Sequence, residues 1–220
     1  ATLEDLAYNK VKIAISKGYI KKGSKLKEVS LAKSLKMSRA TVKGAVKRLV
    51  FEGLAEYSPN KGTSVVNPSL KEIQESFLVR AQLEKMSTSL AATKLGSEDF
   101  LELYALIQKE RDIFKARELN LYYEINNAIH LRIAEKSGNR VLFHSIKELL
   151  QKTTIFLILF DPFYQLVEVY NTSPAEYQKI VQLLEDKNGE QAGLAMEHHL
   201  ASAVSGIDVN RLLPDDYLTV

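Results

Sequence analysis

The sequence predicts a mostly α-helical protein in two parts. An N-terminal winged helix-turn-helix, three helices plus a β-hairpin wing, precedes an all-α bundle of six or seven helices. Three observations predict it. Serines 30 and 38 stand as helix caps ahead of two short apolar-periodic runs. A turn, Pro59-Asn60-Lys61-Gly62, separates two extended runs directly afterwards. From Ser69 onward apolar residues recur at spacings of three, four and seven, and no strand alternation appears.

The elements follow in order. Leu6, Val11, Ile13 and Ala14 mark a first helix ending near Gly18. Lys25 to Val29 reads as extended, Ser30 as the cap of a second helix over Leu31–Leu35, and Ser38 as the cap of a third. The third runs to Glu52, with Gly53 as its C′ residue. Two short helices joined by a tight turn are a helix-turn-helix. The hairpin of Leu54–Ser58 and Thr63–Val66 makes the wing, with Gly62 free to take a positive φ. This domain spans residues 1–68, and Asn67-Pro68 closes it.

Ser69-Leu70-Lys71-Glu72 has the form of a capping box opening a long helix, with Ile73, Phe77, Arg80, Glu84 and Ala91 as its inner stripe. A second helix follows Ser97, and a third carries Tyr123, Asn126, His130 and Ile133. Residues 139–160 read as another helix, with Pro162 in the loop beyond. Ser173-Pro174-Ala175-Glu176 supplies a cap, a proline at the first helical position and a glutamate at the third. A last helix over Glu190–Ser205 places Ala192, Ala195, Met196, His199 and Ala203 on one face. The helical domain covers 69–210, and 211–220 is a tail.

Charge divides along the same boundary. Residues 1–68 hold 14 basic against 5 acidic side chains, a net of +9, and residues 69–220 hold 16 against 22, a net of −6. Such asymmetry marks a polyanion-binding module joined to something else. The chain has no cysteine, which excludes disulfides and favours a cytoplasmic location. The first residues lack the apolar run of a signal peptide, and the longest apolar run, Ile155–Phe160, is far too short to span a bilayer. No membrane partner is expected.

The third helix accounts for the basic half. Arg39, Lys43, Lys47 and Arg48 fall within ten positions of an otherwise short helix. Solvated lysines are the ordinary account of such a run; coincidence with a wing and a net +9 favours a helix lying in a major groove. Ser38 and Thr41 put short hydroxyls at the helix N-terminus, where phosphate is attracted. Arg39 suits a bidentate contact to guanine, and Lys43, Lys47 and Arg48 suit phosphates, with Asn60 and Lys61 at the wing tip. Gly44 costs about 1 kcal/mol of helix stability, for which close approach to DNA would be one account.

These residues resemble the GntR family of bacterial transcription regulators. The resemblance rests on Ile20-Lys21-Lys22-Gly23-Ser24-Lys25-Leu26, Met37-Ser38-Arg39-Ala40-Thr41-Val42, Ala45-Val46-Lys47-Arg48-Leu49 and Pro59-Asn60-Lys61-Gly62. It implies that Ser38, Arg39, Thr41 and Lys43 contact an operator together with Lys61 and Gly62. The family usually has Arg-Glu where this chain has Lys43-Gly44. The second half is similar to the FCD effector domain of the FadR-like subgroup, through Val79-Arg80, Leu83-Glu84, Asn126, His130, Ala134-Glu135-Lys136-Ser137-Gly138-Asn139 and Ala195-Met196 with His199-Leu200.

That resemblance implies a small carboxylate effector near Arg80, Asn126, His130 and His199. It also implies a divalent metal such as zinc or nickel held by an Asp, a His four residues on, and two further histidines. Here His130 and His199 fit, while Asn126 replaces the Asp and Tyr177 stands where a histidine is expected. Two imidazoles and a neutral amide lack the carboxylate that would neutralise an ion, so metal is weak or absent on this reading. Arg80 either faces the ligand or pairs with Glu84; the residues leave both open. His144 and His198 fall off the inner stripes and read as surface residues.

The expected protein is a ligand-responsive repressor. It binds a pseudo-palindromic double-stranded DNA operator as a homodimer, because one short helix reads too few bases alone. An effector-blind regulator with a decayed pocket is the alternative. An enzyme is not expected: the sequence holds no nucleophile–base pair, phosphate loop or dense carboxylate cluster.

Overall fold

The computed structural model describes residues 1–160, 172–205 and 207. The chain divides into two compact units, the first built on residues 1–69 and the second beginning at Leu70. The Pro162 loop and the 211–220 tail expected from the sequence lie outside the described residues.

In the first unit α1 (Leu3–Ser16) is opened by Thr2, whose hydroxyl accepts from the Asp5 amide while Asp5 returns a bond to the Thr2 amide. The helix α2 (Glu28–Leu35) begins two residues before the expected cap, so Ser30 lies inside it, and its N-cap Lys27 offers no side-chain bond. The reason is tertiary. Leu26 N–H bonds to Thr63 O and Val65 N–H to Ser24 O, so residues 23–26 form a third edge on the hairpin and the chain turns into helix as soon as that edge ends. Lys36 then takes a left-handed conformation (φ 54°) and the chain enters α3 (Arg39–Phe51).

Ser38 caps α3 as expected, accepting from Thr41 N–H at 3.1 Å. At the other end Gly53 (φ 84°) closes a Schellman motif: Gly53 N–H bonds to Val50 O and Leu54 N–H to Leu49 O. The hairpin β1 (Ala55–Ser58) and β2 (Gly62–Val65) pairs antiparallel, with Ala55 opposite Val65 and Ser58 opposite Gly62. Asn60 (φ 63°) and Gly62 (φ 77°) make its turn. Val42, Ala45, Val46 and Leu49 bury one face of α3 against Ala7, Tyr8 and Val11 of α1. A Cβ at Gly44 would meet only the far end of the exposed Glu4 side chain of α1, so packing does not require a glycine there.

Among the described residues the second unit holds α4 (Leu70–Ala91), α5 (Ser97–Ala116), α6 (Leu119–Lys136), α7 (Arg140–Phe160) as far as Thr154, α8 (Ser173–Glu185) and α9 (Gly189–Ser205). Those six helices agree with the expected bundle. Its core joins Leu103 and Ile107 of α5, Ile129 and Ile133 of α6, Ile180 and Leu184 of α8, and Met196 of α9. Helices α4 and α9 cross closely at Gly193, where a Cβ would lie 2.8 Å from Lys85 O and against Ser89 Oγ. The N-cap of α8 is Thr172, one residue earlier than expected, because the Ser173 hydroxyl is used elsewhere: it donates to Glu110 at 3.0 Å.

Candidate nucleic-acid interface and buried polar core

Arg39, Lys43 and Lys47 are four residues apart, so they stand one above another on a single exposed stripe of α3. Ser38 and Thr41 sit at its N-terminal end, their hydroxyls 2.8 Å apart. Lys43 and Lys47 also line a groove of about 260 Å³ whose far wall is Tyr57 and Thr63 of the hairpin. Lys61 lies exposed at the hairpin tip beside Gly62, and Lys25 Nζ donates to the Lys61 carbonyl, fastening that tip. Arg48, expected among the phosphate contacts, is engaged otherwise. Its guanidinium lies 3.8 Å from the Tyr8 ring centroid and bonds to Glu52 at 2.9 Å and Asp5 at 3.2 Å, bracing α3 against α1.

The second unit contains a continuous chain of buried polar groups. Arg80 Nε donates to Glu84 at 2.6 Å, and Arg80 Nη1 to Thr153 at 2.9 Å. The other Glu84 oxygen meets His130 Nδ1 at 2.5 Å. His130 Nε2 lies 2.7 Å from the Tyr177 hydroxyl, which lies 3.1 Å from His199 Nε2, and His199 Nδ1 meets Glu176 at 2.6 Å. Beside the chain Glu110, fully buried, accepts from Asn126 at 3.0 Å and from Ser173. Four helices, α4, α6, α8 and α9, thus contribute to one relay, and α5 and α7 support it.

Two atoms of this core have no hydrogen-bond partner among the described residues: Arg80 Nη2 and Glu110 Oε2. A buried donor or acceptor left alone costs on the order of 1–3 kcal/mol.

Electrostatics fixes the charges. Burial pushes the Glu84 carboxyl up, but His130 and Arg80 reverse this and hold it down to about 2. Burial pushes His130 down to about 4 despite Glu84. At neutral pH the pair is therefore a carboxylate facing a neutral imidazole, with the proton on Nδ1. Burial pushes Glu110 up, although the bonds from Asn126 and Ser173 work against it. Burial, reinforced by Glu110, raises the Tyr177 phenol well above its ordinary value. Burial would raise Glu176, but the bond to His199 and its charge hold it down.

Of the residues expected to hold a metal, His130 and His199 do converge on the Tyr177 hydroxyl, while Asn126 donates its amide N–H to Glu110. Among the described residues no group of three or more His, Cys, Asp or Glu could hold an ion. The residues present do not fit a metal site. Arg80 makes the Glu84 bridge, and its Nη2 has no hydrogen-bond partner among the described residues. His144 and His198 are exposed as expected. Glu110 is the residue sequence reasoning missed. Its signal was a lone carboxylate in the stripe Leu103, Ile107, Glu110, Phe114, which otherwise reads as core.

A winged reading head with a cationic stripe, joined to a helical unit with a polar core, is the plan of a transcriptional regulator. Residues 3–65 match the profile of bacterial regulatory proteins, gntR family, and residues 75–202 match the FCD domain. The chain belongs to the GntR family of bacterial regulatory proteins, in the branch that carries an FCD domain. It is 27% identical over 136 residues to YdhC, an uncharacterized HTH-type transcriptional regulator of Bacillus subtilis, and 28% over 141 residues to the HTH-type transcriptional regulator McbR of Escherichia coli. The chain spans 61% and 64% of the length of those two relatives. It is 29% identical over 210 residues to LutR of Bacillus subtilis, covering 86% of this chain and 93% of LutR.

Among solved structures, Escherichia coli McbR/YncC superposes with a TM-score of 0.61 at 24% identity, over 93% of this chain and 94% of that one. The Listeria monocytogenes protein Lar gives 0.64 at 18% identity, over 94% and 96%. Both show the shared fold. These families and relatives are transcriptional regulators, not enzymes. No helix among the described residues is long and apolar enough to cross a membrane.

Proposed function

We propose that the protein is a cytoplasmic repressor that binds a pseudo-palindromic operator as a homodimer and responds to a small organic acid in its helical unit. DNA is read by Arg39, with Ser38, Thr41, Lys43 and Lys47 on the same helix and the Lys61-Gly62 wing tip against the backbone. Exposed apolar side chains on α4 (Leu78, Val79, Met86) and α9 (Leu194) support assembly through the helical unit. The observation that carries the effector reading is the pair of unpartnered buried atoms, Arg80 Nη2 and Glu110 Oε2. A ligand with a carboxylate for Arg80 and a hydroxyl or amino donor for Glu110 satisfies both, without metal.

A thermal-shift screen of small hydroxy and amino acids tests this. Binding should stabilise the fold by about 2.7 kcal/mol at one hundred times the dissociation constant. The shift should vanish in Arg80→Lys, and the same acid should change operator affinity. Sedimentation of fragments 1–68 and 69–220 tests assembly, with a dimer expected only from the second. The effector-blind alternative draws on the satisfaction of every histidine nitrogen in the relay from within the protein. It stands if no acid stabilises the chain or alters DNA binding.

A further inference from the structure

The imidazoles of His130 and His199 are arranged as metal ligands usually are. Each gives its Nδ1 side to a carboxylate, Glu84 at 2.5 Å and Glu176 at 2.6 Å, which leaves both Nε2 atoms aimed at one point. Carboxylate–histidine pairs of this kind orient imidazoles around zinc and similar ions. The point they share is occupied by the Tyr177 hydroxyl, 2.7 Å from one nitrogen and 3.1 Å from the other.

We infer that Tyr177 is a plug: its hydroxyl takes the coordination point of an otherwise intact histidine pair, closing it to divalent cations and holding the helices with a proton instead. Three features carry this. Metal–nitrogen bonds of about 2.0–2.1 Å would place an ion in contact with the hydroxyl oxygen, so ion and hydroxyl cannot share the site unless the phenol ionises. Tyr177 is fully buried, so no solvent stands at its hydroxyl to accommodate a phenolate. The ring cannot swing aside cheaply, since it packs in the core with Ile180 and Met196.

The inference needs no effector and no DNA, so it stands or falls separately from the proposed function. Full-length wild type and Tyr177→His, each checked by circular dichroism, are titrated with Co²⁺ and Zn²⁺. Bound metal is counted by mass spectrometry after dialysis, and Co²⁺ is followed by its visible absorption. Wild type should retain no ion that depends on His130. The folded Tyr177→His protein should hold about one ion per chain with tetrahedral Co²⁺ bands, lost again on adding His130→Ala. A stoichiometric ion in wild type that disappears in His130→Ala overturns the inference, and so does a folded Tyr177→His protein that binds none. Should that variant fail to fold, the wild-type titration decides alone.

Discussion

Mild acid should loosen the helical unit through His130 before its carboxylates are lost. The imidazole is fully buried, and burial takes it from its ordinary 6.5 to about 4. An unfolded chain binds a proton at His130 once the pH drops below 6.5, while the folded chain does not until about 4. A depressed histidine therefore leaves stability intact above 6.5 and removes it as the pH falls, at up to about 1.36 kcal/mol per pH unit. From pH 6.5 to 5 the loss is about 2 kcal/mol, and it approaches 3 near pH 4, a large share of an ordinary folding free energy. Glu84, held down to about 2, adds its own loss only below about 4.5. Glu110 works in the opposite sense: its raised carboxyl favours the folded state at lower pH and offsets part of the slope. Urea unfolding followed by circular dichroism at pH 7, 6 and 5 measures the total. His130→Gln removes the titrating group and keeps a donor and an acceptor, so it isolates the contribution. The variant should start less stable at pH 7 yet lose about 2 kcal/mol less than wild type by pH 5. Parallel pH profiles for the two proteins would refute the reasoning.

At the DNA surface, Arg39→Ala should weaken operator binding by about 1–3 kcal/mol and relax preference at one base pair. Lys47→Ala should weaken all sequences alike and reduce the salt slope by about one; selection from random DNA and anisotropy at several salt concentrations separate the two effects. Arg48→Ala should lower the stability of the winged unit while changing DNA affinity less than Lys47→Ala does, because its guanidinium is bound to Glu52 and Asp5; equal losses of affinity would return it to the DNA surface. Glycine replacements should diverge in sign. Gly44→Ala should stabilise by up to about 1 kcal/mol, since only the exposed Glu4 side chain must move, whereas Gly193→Ala should cost about 1–3 kcal/mol against the α4 backbone. Thermal melts read both.

Local signals with one physical meaning were legible in the sequence. Ser38 caps α3, Gly53 closes it and Gly62 takes the positive φ of the hairpin, each because the chain leaves few other residues able to do so. Signals with competing uses were not. Ser30 and Ser173 are good caps by residue type, yet the hairpin edge starts α2 before Ser30 and Glu110 claims the Ser173 hydroxyl. The same competition governs the polar core. His130 and His199 were identified by their helical register, but which atoms they face depends on helices far apart in sequence. Asn126 was placed beside them and turned out to serve Glu110. Arg48 has the composition of a phosphate ligand and the surroundings of a brace, and only packing against Tyr8 reveals the second.

The Schellman turn at Gly53 leaves three residues, Glu52 to Leu54, between the reading helix and the first strand of the wing. The second strand is fastened in turn to residues 23–26. Helix and wing therefore form a single casting whose spacing cannot be adjusted by lengthening a linker. Length changes between residues 49 and 66 would break the casting, while the outward side chains at 39, 43 and 47 carry none of its internal bonds. A reading head of the proposed kind would change its base preference through exchange at position 39 and its overall grip at 43 and 47, while the frame that presents them stays fixed.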